Sequence, residues 1–176
     1  MYKNLDNNFK TSKEKGDAYE KLVIDVVNRI NGVKATSIVK TNTNQIDCFA
    51  ISQVKTTYHS IYDYLSPKFI GECKNEQETP GITYAEKLYS LIKLSPKAKL
   101  GILFSRKKWS KESKEFAKKM ALLENIYIVN FCDDDWEKFL NQKMNFLEIL
   151  LLKIVEVEMY FKEKIDLVQE FSKEEH

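Results

Sequence analysis

The chain has 176 residues, of which 43% are hydrophobic and 31% are charged, and its formal net charge is +2. This length suffices for one domain with a hydrophobic core, and this composition is ordinary for a water-soluble globular protein. The N-terminus lacks the apolar core of a signal peptide, and charges interrupt the most apolar stretch, 146–157, which is too short to span a bilayer. We therefore expect a soluble cytoplasmic protein with no membrane partner.

The small numbers of cysteines and histidines narrow the chemistry further. The three cysteines are widely spaced and form no CxxC pair, which indicates reduced thiols and argues against a disulfide framework or a zinc site. The sequence has two histidines, His59 and His176, so a mechanism built on a histidine base is not favoured.

The first half of the chain predicts a tail, a helix and three strands. Residues 1–14 are polar, which is typical of a flexible N-terminal tail. From Lys15, apolar residues recur at three- and four-residue steps and predict a helix that stops at Asn31–Gly32. Strands are then predicted at 33–40, 45–53 and 69–74. Between the last two, residues 54–68 fit a loop, a hairpin extension or a short helix.

The second half alternates predicted helices and strands. Apolar periodicity predicts helices at 83–94, 109–123, 134–143 and 145–171, and compact apolar runs predict strands at 99–105 and 125–131. Short links favour antiparallel pairing of the first three strands, whereas helical crossovers allow later strands to run parallel. The predicted fold is α/β: a domain at 15–143 with a central mixed β-sheet flanked by helices, followed by a long C-terminal helix at 144–176.

An acid and a lysine stand two positions apart at the end of the third predicted strand. Because successive side chains of a strand alternate between faces, Glu72 and Lys74 project from the same face and can share one site. Such charges at the end of a buried strand are costly unless a metal or a substrate uses them. A structural salt bridge on an edge strand is the alternative. The second Glu-x-Lys match, Glu112 to Lys114, falls in a predicted helix, where residues two apart face different directions.

Two further acids lie in compatible elements: Asp47 on the second predicted strand and Glu20 on the first predicted helix. Carboxylates suit Mg²⁺ or Mn²⁺, and an ion held by Asp47 and Glu72, with Glu20 binding directly or through water, would serve phosphodiester cleavage. Lys74 would then stabilise negative charge beside the attacking water or the scissile phosphate. Taken singly, Asp47 also fits a turn residue at a strand end, and Glu20 also fits a surface helix residue.

The segments that carry these residues resemble the PD-(D/E)xK nuclease superfamily, and within it the Mrr-like restriction endonuclease branch. They are Gly16–Glu20, Ile46–Asp47 and Glu72–Lys74. The resemblance extends from about Lys15 to Phe131 and implies a restriction-endonuclease-like core. It implies a Mg²⁺-dependent deoxyribonuclease, in which Mn²⁺ can substitute for Mg²⁺. In such an enzyme Asp47 and Glu72 would be the metal ligands, Lys74 would be the catalytic lysine, and Glu20 would be an accessory acid at the metal.

A basic cluster follows the strand predicted at 99–105. Its members surround the start of the next predicted helix: Arg106, Lys107, Lys108 and Lys111. They are candidates for contact with the phosphates of DNA, the expected partner. A merely solvated surface is the alternative for this cluster.

The leading hypothesis is a metal-dependent endonuclease that cleaves DNA phosphodiester bonds in restriction or defence. Sequence specificity would come from site loops such as 54–68 or from a partner subunit, because so short a chain has no evident separate recognition domain. The alternative hypothesis is a non-catalytic nucleic-acid-binding or assembly subunit with a nuclease-like fold. A third is an α/β domain whose charges are incidental.

The C-terminal helix carries a stripe at alternating four- and three-residue steps, which is apolar except for Glu158 and includes Leu147, Leu151, Ile154, Phe161, Ile165 and Val168. The predicted helix is longer than a small domain needs to cover its sheet. We therefore expect a homodimer held partly by this helix, with two sites that could cut both strands of a duplex. Folding back onto its own domain is the alternative.

Overall fold

The structure is a computed structural model that describes residues 11–36, 39–40, 45–52, 60–65, 67–142 and 144–171. Its elements in chain order are α1 (Ser12–Val27), β1 (Val33–Thr36), β2 (Val39–Lys40), β3 (Gln45–Ile46), β4 (Cys48–Ser52), α2 (Ser60–Leu65), β5 (Lys68–Lys74), α3 (Ile82–Lys93), β6 (Leu100–Ser105), α4 (Lys111–Glu124), β7 (Tyr127–Phe131), α5 (Asp133–Asn141) and α6 (Phe146–Phe171). From β5 onward every helix and strand lies within two residues of its predicted bounds.

In the described part of the chain, the main sheet has five strands in the order β1–β4–β5–β6–β7. β1, β4 and β5 are antiparallel, whereas β5, β6 and β7 are parallel, because helices α3 and α4 carry the chain back between the parallel strands. The fold is therefore α/β with a mixed β-sheet flanked by helices, which confirms the predicted class.

Helices cover both faces of this sheet. Alternate residues of a strand point to opposite faces, so Phe69 packs among residues of α1, α2, α5 and α6, whereas its neighbour Ile70 packs among residues of α3 and α4. With both faces covered, β6 is buried along its whole length. Glu72 and Lys74 follow Ile70 at two-residue steps and therefore face α3.

The first two predicted strands are each divided. The segment 33–40 contains β1 and β2, and the segment 45–53 contains β3 and β4, with β2 and β3 paired in a separate two-stranded ribbon. The division between β3 and β4 falls at Asp47, whose Oδ2 accepts a hydrogen bond from the backbone N–H of Cys73 at 2.9 Å. The described pairing of β4 with β5 begins at the next residue, Cys48.

Helix α1 begins earlier than the sequence predicts because Thr11 caps it. The Thr11 hydroxyl accepts the N–H of Glu14, and the Glu14 carboxylate accepts the N–H of Thr11. Residues 12–14 therefore belong to the helix and not to the predicted tail, Thr11 is its cap, and residues 1–10 of that tail lie outside the described residues. In the undecided segment 54–68 the structure has helix α2, while 54–59 and 66 lie outside the described residues.

The first half of α6 folds back onto its own domain. Five of its apolar side chains are buried in the same core as residues of α1. These five are Phe146, Ile149, Leu150, Ile154 and Val157. The side chains of 159–171, and with them the far half of the stripe predicted for a dimer, lie outside those described. Within the described ranges, none of the helices combines the length and the hydropathy needed to cross a lipid bilayer.

Candidate metal centre

Strand β5 brings Glu72 to a buried position under helix α3. Glu72 is 6% exposed, and its Oε1 lies 2.5 Å from the Nζ of Lys87, which projects from α3. The other carboxylate oxygen, Oε2, is also buried, and it has no hydrogen-bond partner among the described residues. Buried acceptors are almost always satisfied in native proteins, so an oxygen of this kind marks a place where a ligand can bind.

Asp47 lies next to Glu72 across the two strands, because the pairing of Cys48 with Gly71 sets this register. Asp47 is 7% exposed, and the hydrogen bond from the N–H of Cys73 fixes one of its oxygens. An acid that stands at a break between strands can turn its carboxylate toward the end of the neighbouring strand. The division of the strand therefore places two buried carboxylates side by side.

Glu20 joins the cluster from helix α1, which the preceding residue anchors to the sheet. Tyr19 is fully buried, and its hydroxyl donates to the carbonyl oxygen of Ser105 at 3.2 Å and accepts from the Nε1 of Trp136 at 3.1 Å. These bonds tie α1 to the end of β6 and to α5. Glu20, one residue further along, is thereby held near the acids of the sheet.

Burial and the neighbouring acids raise the pKa values of Glu20 and Glu72. Burial, followed by repulsion from Asp47, Asp17 and Glu72, raises the pKa of Glu20 to about 7. Burial also raises the pKa of Glu72 to about 6; the hydrogen bond from Lys87 opposes this rise, and repulsion from Asp47 adds to it. The structure thus brings together the three acids that the sequence predicts, in a place where positive charge is deficient.

Hard oxygen donors of this kind fit Mg²⁺ or Mn²⁺. The unpartnered Oε2 of Glu72 and the repulsion among the acids both agree with such an ion. The side chains as they stand are not yet a closed cage, since in the described ranges there is no group of three or more acids, cysteines or histidines already arranged to hold a metal. An ion would draw the carboxylates together, and Glu72 would have to share or release Lys87.

Lys74 is on the predicted face of β5, but the ion-pair partner of its ammonium is Glu76 and not Glu72. The ammonium also lies 4.9 Å from the centroid of the Tyr84 ring. Burial lowers the pKa of Lys74, and the interactions with Glu76 and Tyr84 outweigh that effect and raise it. Lys74 is therefore protonated at neutral pH, and its charge still stabilises the ionised form of Glu72.

Lys87 is the site residue that the sequence analysis missed. In an amphipathic helix such as α3, a lysine is normally exposed to solvent, and nothing in the local sequence distinguishes Lys87 from other lysines. The available signal was its spacing of three residues from Tyr84, which places both side chains on one face of α3. That this face covers the end of β5 follows from tertiary packing.

The basic cluster divides into one buried and three exposed cations. Arg106 is 9% exposed; its Nε donates to both carboxylate oxygens of Asp133, at 2.9 and 3.1 Å, and its Nη1 donates to the Oδ1 of Asn75. Arg106 thus presents little surface to solvent, and contact of this cluster with DNA stays a prediction. The exposed members are Lys107, Lys108 and Lys111, of which Lys108 pairs with Asp134 at 2.8 Å.

A separate cleft of about 540 Å³ lies between α4, α5 and α6, and its lining includes none of Glu20, Asp47 and Glu72. Its lining includes Trp109 and several charged residues that are paired with one another, namely Lys108 with Asp134, Lys114 with Glu156 and Lys153 with Asp135. Because these charges already satisfy each other, the carboxylate cluster is the better candidate for chemistry.

Comparisons with protein families, with curated proteins and with solved structures gave no match.

Proposed function

We propose that this chain is a metal-dependent endonuclease that hydrolyses DNA phosphodiester bonds in restriction or defence, with a restriction-endonuclease-like core of the PD-(D/E)xK type. One observation carries the proposal: the buried Glu72 carboxylate, whose Oε2 has no hydrogen-bond partner among the described residues, lies next to Asp47 across the strands and close enough to Glu20 that these clustered acids repel one another. Such a cluster lowers the stability of the folded chain unless a cation relieves the repulsion. A function that needs the cation explains why the cluster is there.

Asp47 and Glu72 would hold the ion, which would be Mg²⁺, with Mn²⁺ as a substitute. Glu20 would complete the coordination shell of the ion directly or through water. When bound, the ion would supply an activated water and neutralise charge on the scissile phosphate. The chain contributes rigidity: the N–H of Cys73 orients Asp47, and strand β5 fixes Glu72. Two carboxylates on adjacent strands can keep their separation better than two on loops.

Lys74 would supply the positive charge that the transition state requires. Its pKa is raised, burial notwithstanding, by Glu76 and Tyr84, so it carries a proton at neutral pH and can donate hydrogen bonds to a phosphate oxygen. To do so the ammonium leaves Glu76, which is about half exposed and contributes little to stability as an ion-pair partner. The flexible stem of a lysine allows this movement.

Contact with DNA would use the exposed cations beyond the end of β6. Lys107, Lys108 and Lys111 can reach phosphates, and each contact would release condensed counterions. Arg106 would act from within, because its bonds to Asp133 and Asn75 join the ends of β5, β6 and β7. These contacts carry no base sequence, so specificity would come from site loops or from a partner subunit.

The second candidate is a non-catalytic nucleic-acid-binding subunit with the same fold. The ion pair between Lys87 and Glu72 favours it, because an internal ammonium already neutralises one of the acids. The two candidates differ in metal binding. Calorimetry with Mn²⁺ should give a binding site in the wild type that Asp47→Ala removes and that Asp25→Ala, exposed on α1, retains. Binding that survives in Asp47→Ala, or no binding at all, would favour the non-catalytic subunit.

A further inference from the structure

We propose that Lys87 is a positioning residue that acts as the internal counter-ion of the site: without metal its ammonium holds the Glu72 carboxylate, and a divalent cation competes with it for that carboxylate. The inference rests on the proposed function, because it concerns the same carboxylate. It assigns Lys87 a role in setting the metal affinity, separate from the role of Lys74.

The contacts of the two lysines support this division. Lys87 Nζ lies 2.5 Å from Glu72 Oε1, whereas Lys74 pairs with Glu76 and Tyr84. The side chain of Glu72 is 8% exposed, and a carboxylate so buried is strongly destabilising when it lacks a positive partner. Lys87 therefore compensates for the missing metal charge in the folded chain.

The arrangement differs from an ordinary structural ion pair in one respect. A purely structural partner would be expected to leave the carboxylate satisfied, yet the second oxygen of Glu72, Oε2, is buried with no hydrogen-bond partner in the described ranges. Lys87 is itself about one-third exposed, so its ammonium can move toward solvent on its flexible stem. One carboxylate oxygen of Glu72 is therefore paired with a lysine that can move away, and the other has no hydrogen-bond partner among the described residues.

The direction of the effect follows from Coulomb's law. A positive charge within about 5 Å of a divalent cation repels it, and the repulsion remains appreciable at the dielectric of a partly buried site. Removing the charge of Lys87 should therefore tighten metal binding, by about fivefold or more. The same removal should destabilise the metal-free protein, because Glu72 then lacks its counter-charge.

The test is calorimetric titration of the full chain with Mn²⁺ in the wild type, Lys87→Met and Lys87→Gln. We expect both variants to bind Mn²⁺ about fivefold or more tightly than the wild type, and Mn²⁺ to raise their thermal midpoints by more than it raises that of the wild type. Lys87→Gln keeps a hydrogen-bond donor, so it serves if Lys87→Met does not fold. Lys93→Met is the matched control, since Lys93 is on the same helix as Lys87 but pairs with Glu124 of α4 and not with Glu72.

Equal or weaker binding in the Lys87 variants, with the wild type still binding Mn²⁺, would overturn the role of Lys87 and leave the proposed function in place. Absence of Mn²⁺ binding from the wild type and from all variants would overturn both. Binding in the Lys87 variants alone would support the competition, because the internal cation would then exclude the ion, but it would overturn the proposed function, since the wild type would bind no metal.

Discussion

Among individual residues, Glu20 and Glu72 make the metal-free protein sensitive to pH. Burial and neighbouring acids raise the pKa of Glu20 from 4.5 to about 7, and burial raises the pKa of Glu72 from 4.5 to about 6. Between its ordinary and its raised pKa, such an acid binds more protons in the folded state than in the unfolded state. Stability should therefore be lost as the pH rises from about 4.5 to about 7.

We predict that Glu20→Gln weakens this loss. Between about pH 5 and pH 7.5 the metal-free wild type should lose more stability than Glu20→Gln by on the order of 1 kcal/mol, a value that allows for solvent screening of a partly exposed group. The measurement is the free energy of unfolding in urea at the two pH values. Asp25→Asn, on the exposed side of the same helix, should behave like the wild type, and a Glu20→Gln protein that does the same would refute the prediction.

The second residue-scale prediction concerns Lys74. Lys74→Ala should reduce the rate of DNA cleavage by about 100-fold or more, because it removes a donor to the transition state, while Mn²⁺ binding stays close to that of the wild type. The matched control is Lys114→Ala, since Lys114 belongs to the helical Glu-x-Lys segment and pairs with Glu156. Cleavage by Lys74→Ala at the wild-type rate would show that another group supplies this charge.

At the scale of elements, the buried hydroxyl of Tyr19 connects α1 with β6 and α5. We predict that Tyr19→Phe lowers the free energy of unfolding by about 1–2 kcal/mol, because it deprives two buried polar groups of this partner. It should also weaken Mn²⁺ binding, since Glu20 follows on the same helix. Urea unfolding and calorimetry measure the two effects.

Tyr89→Phe supplies the control for Tyr19→Phe. The Tyr89 hydroxyl donates to Glu124 at an exposed position, so its loss should change stability by less than about 0.5 kcal/mol. A Tyr19→Phe protein as stable as Tyr89→Phe would mean that packing of the ring, and not the hydroxyl, joins these elements.

The sequence predicts most elements but not their interruptions. Helices α3, α4 and α6 and strand β6 follow from apolar periodicity, which survives into the structure because each element buries one continuous face or run. At the break between β3 and β4, Asp47 bonds to the backbone of Cys73, a residue 26 positions away. A contact of that range leaves no mark on the local pattern.

The sequence likewise predicts some residues of the candidate site and not others. Glu20, Asp47, Glu72 and Lys74 were expected from residue type and element, and the structure gathers the three acids. Lys87 and the burial of Arg106 could not be expected, because each depends on a partner from another element: Glu72 of β5 for Lys87, and Asp133 of α5 for Arg106. Partner choice of this kind is a property of the packed molecule.

On the scale of the whole molecule, α6 is 26 residues long, about 39 Å at about 1.5 Å per residue. Its first half packs on the core of its own domain, although Leu152 is 57% exposed, and the dimer prediction concerns the residues beyond Glu158. We predict a homodimer in light scattering of the full chain, and a monomer after truncation following Glu158. Truncation after Lys143 is unsuitable, because it would remove Phe146, Ile149 and Leu150 from the core. A monomeric full-length chain would contradict the prediction.

We have proposed that Glu20, Asp47 and Glu72 hydrolyse DNA with the help of a divalent cation. The direct measurement is incubation of purified protein with plasmid, linear duplex, single-stranded and branched DNA, with Mg²⁺, with Mn²⁺ or with a chelator. We predict cleavage of at least one of these substrates that requires the cation and that falls by about 100-fold or more in Asp47→Asn, with Asp25→Asn unaffected. Cleavage that persists in the chelator or in Asp47→Asn, or no cleavage of any substrate by the wild type, would contradict the claim.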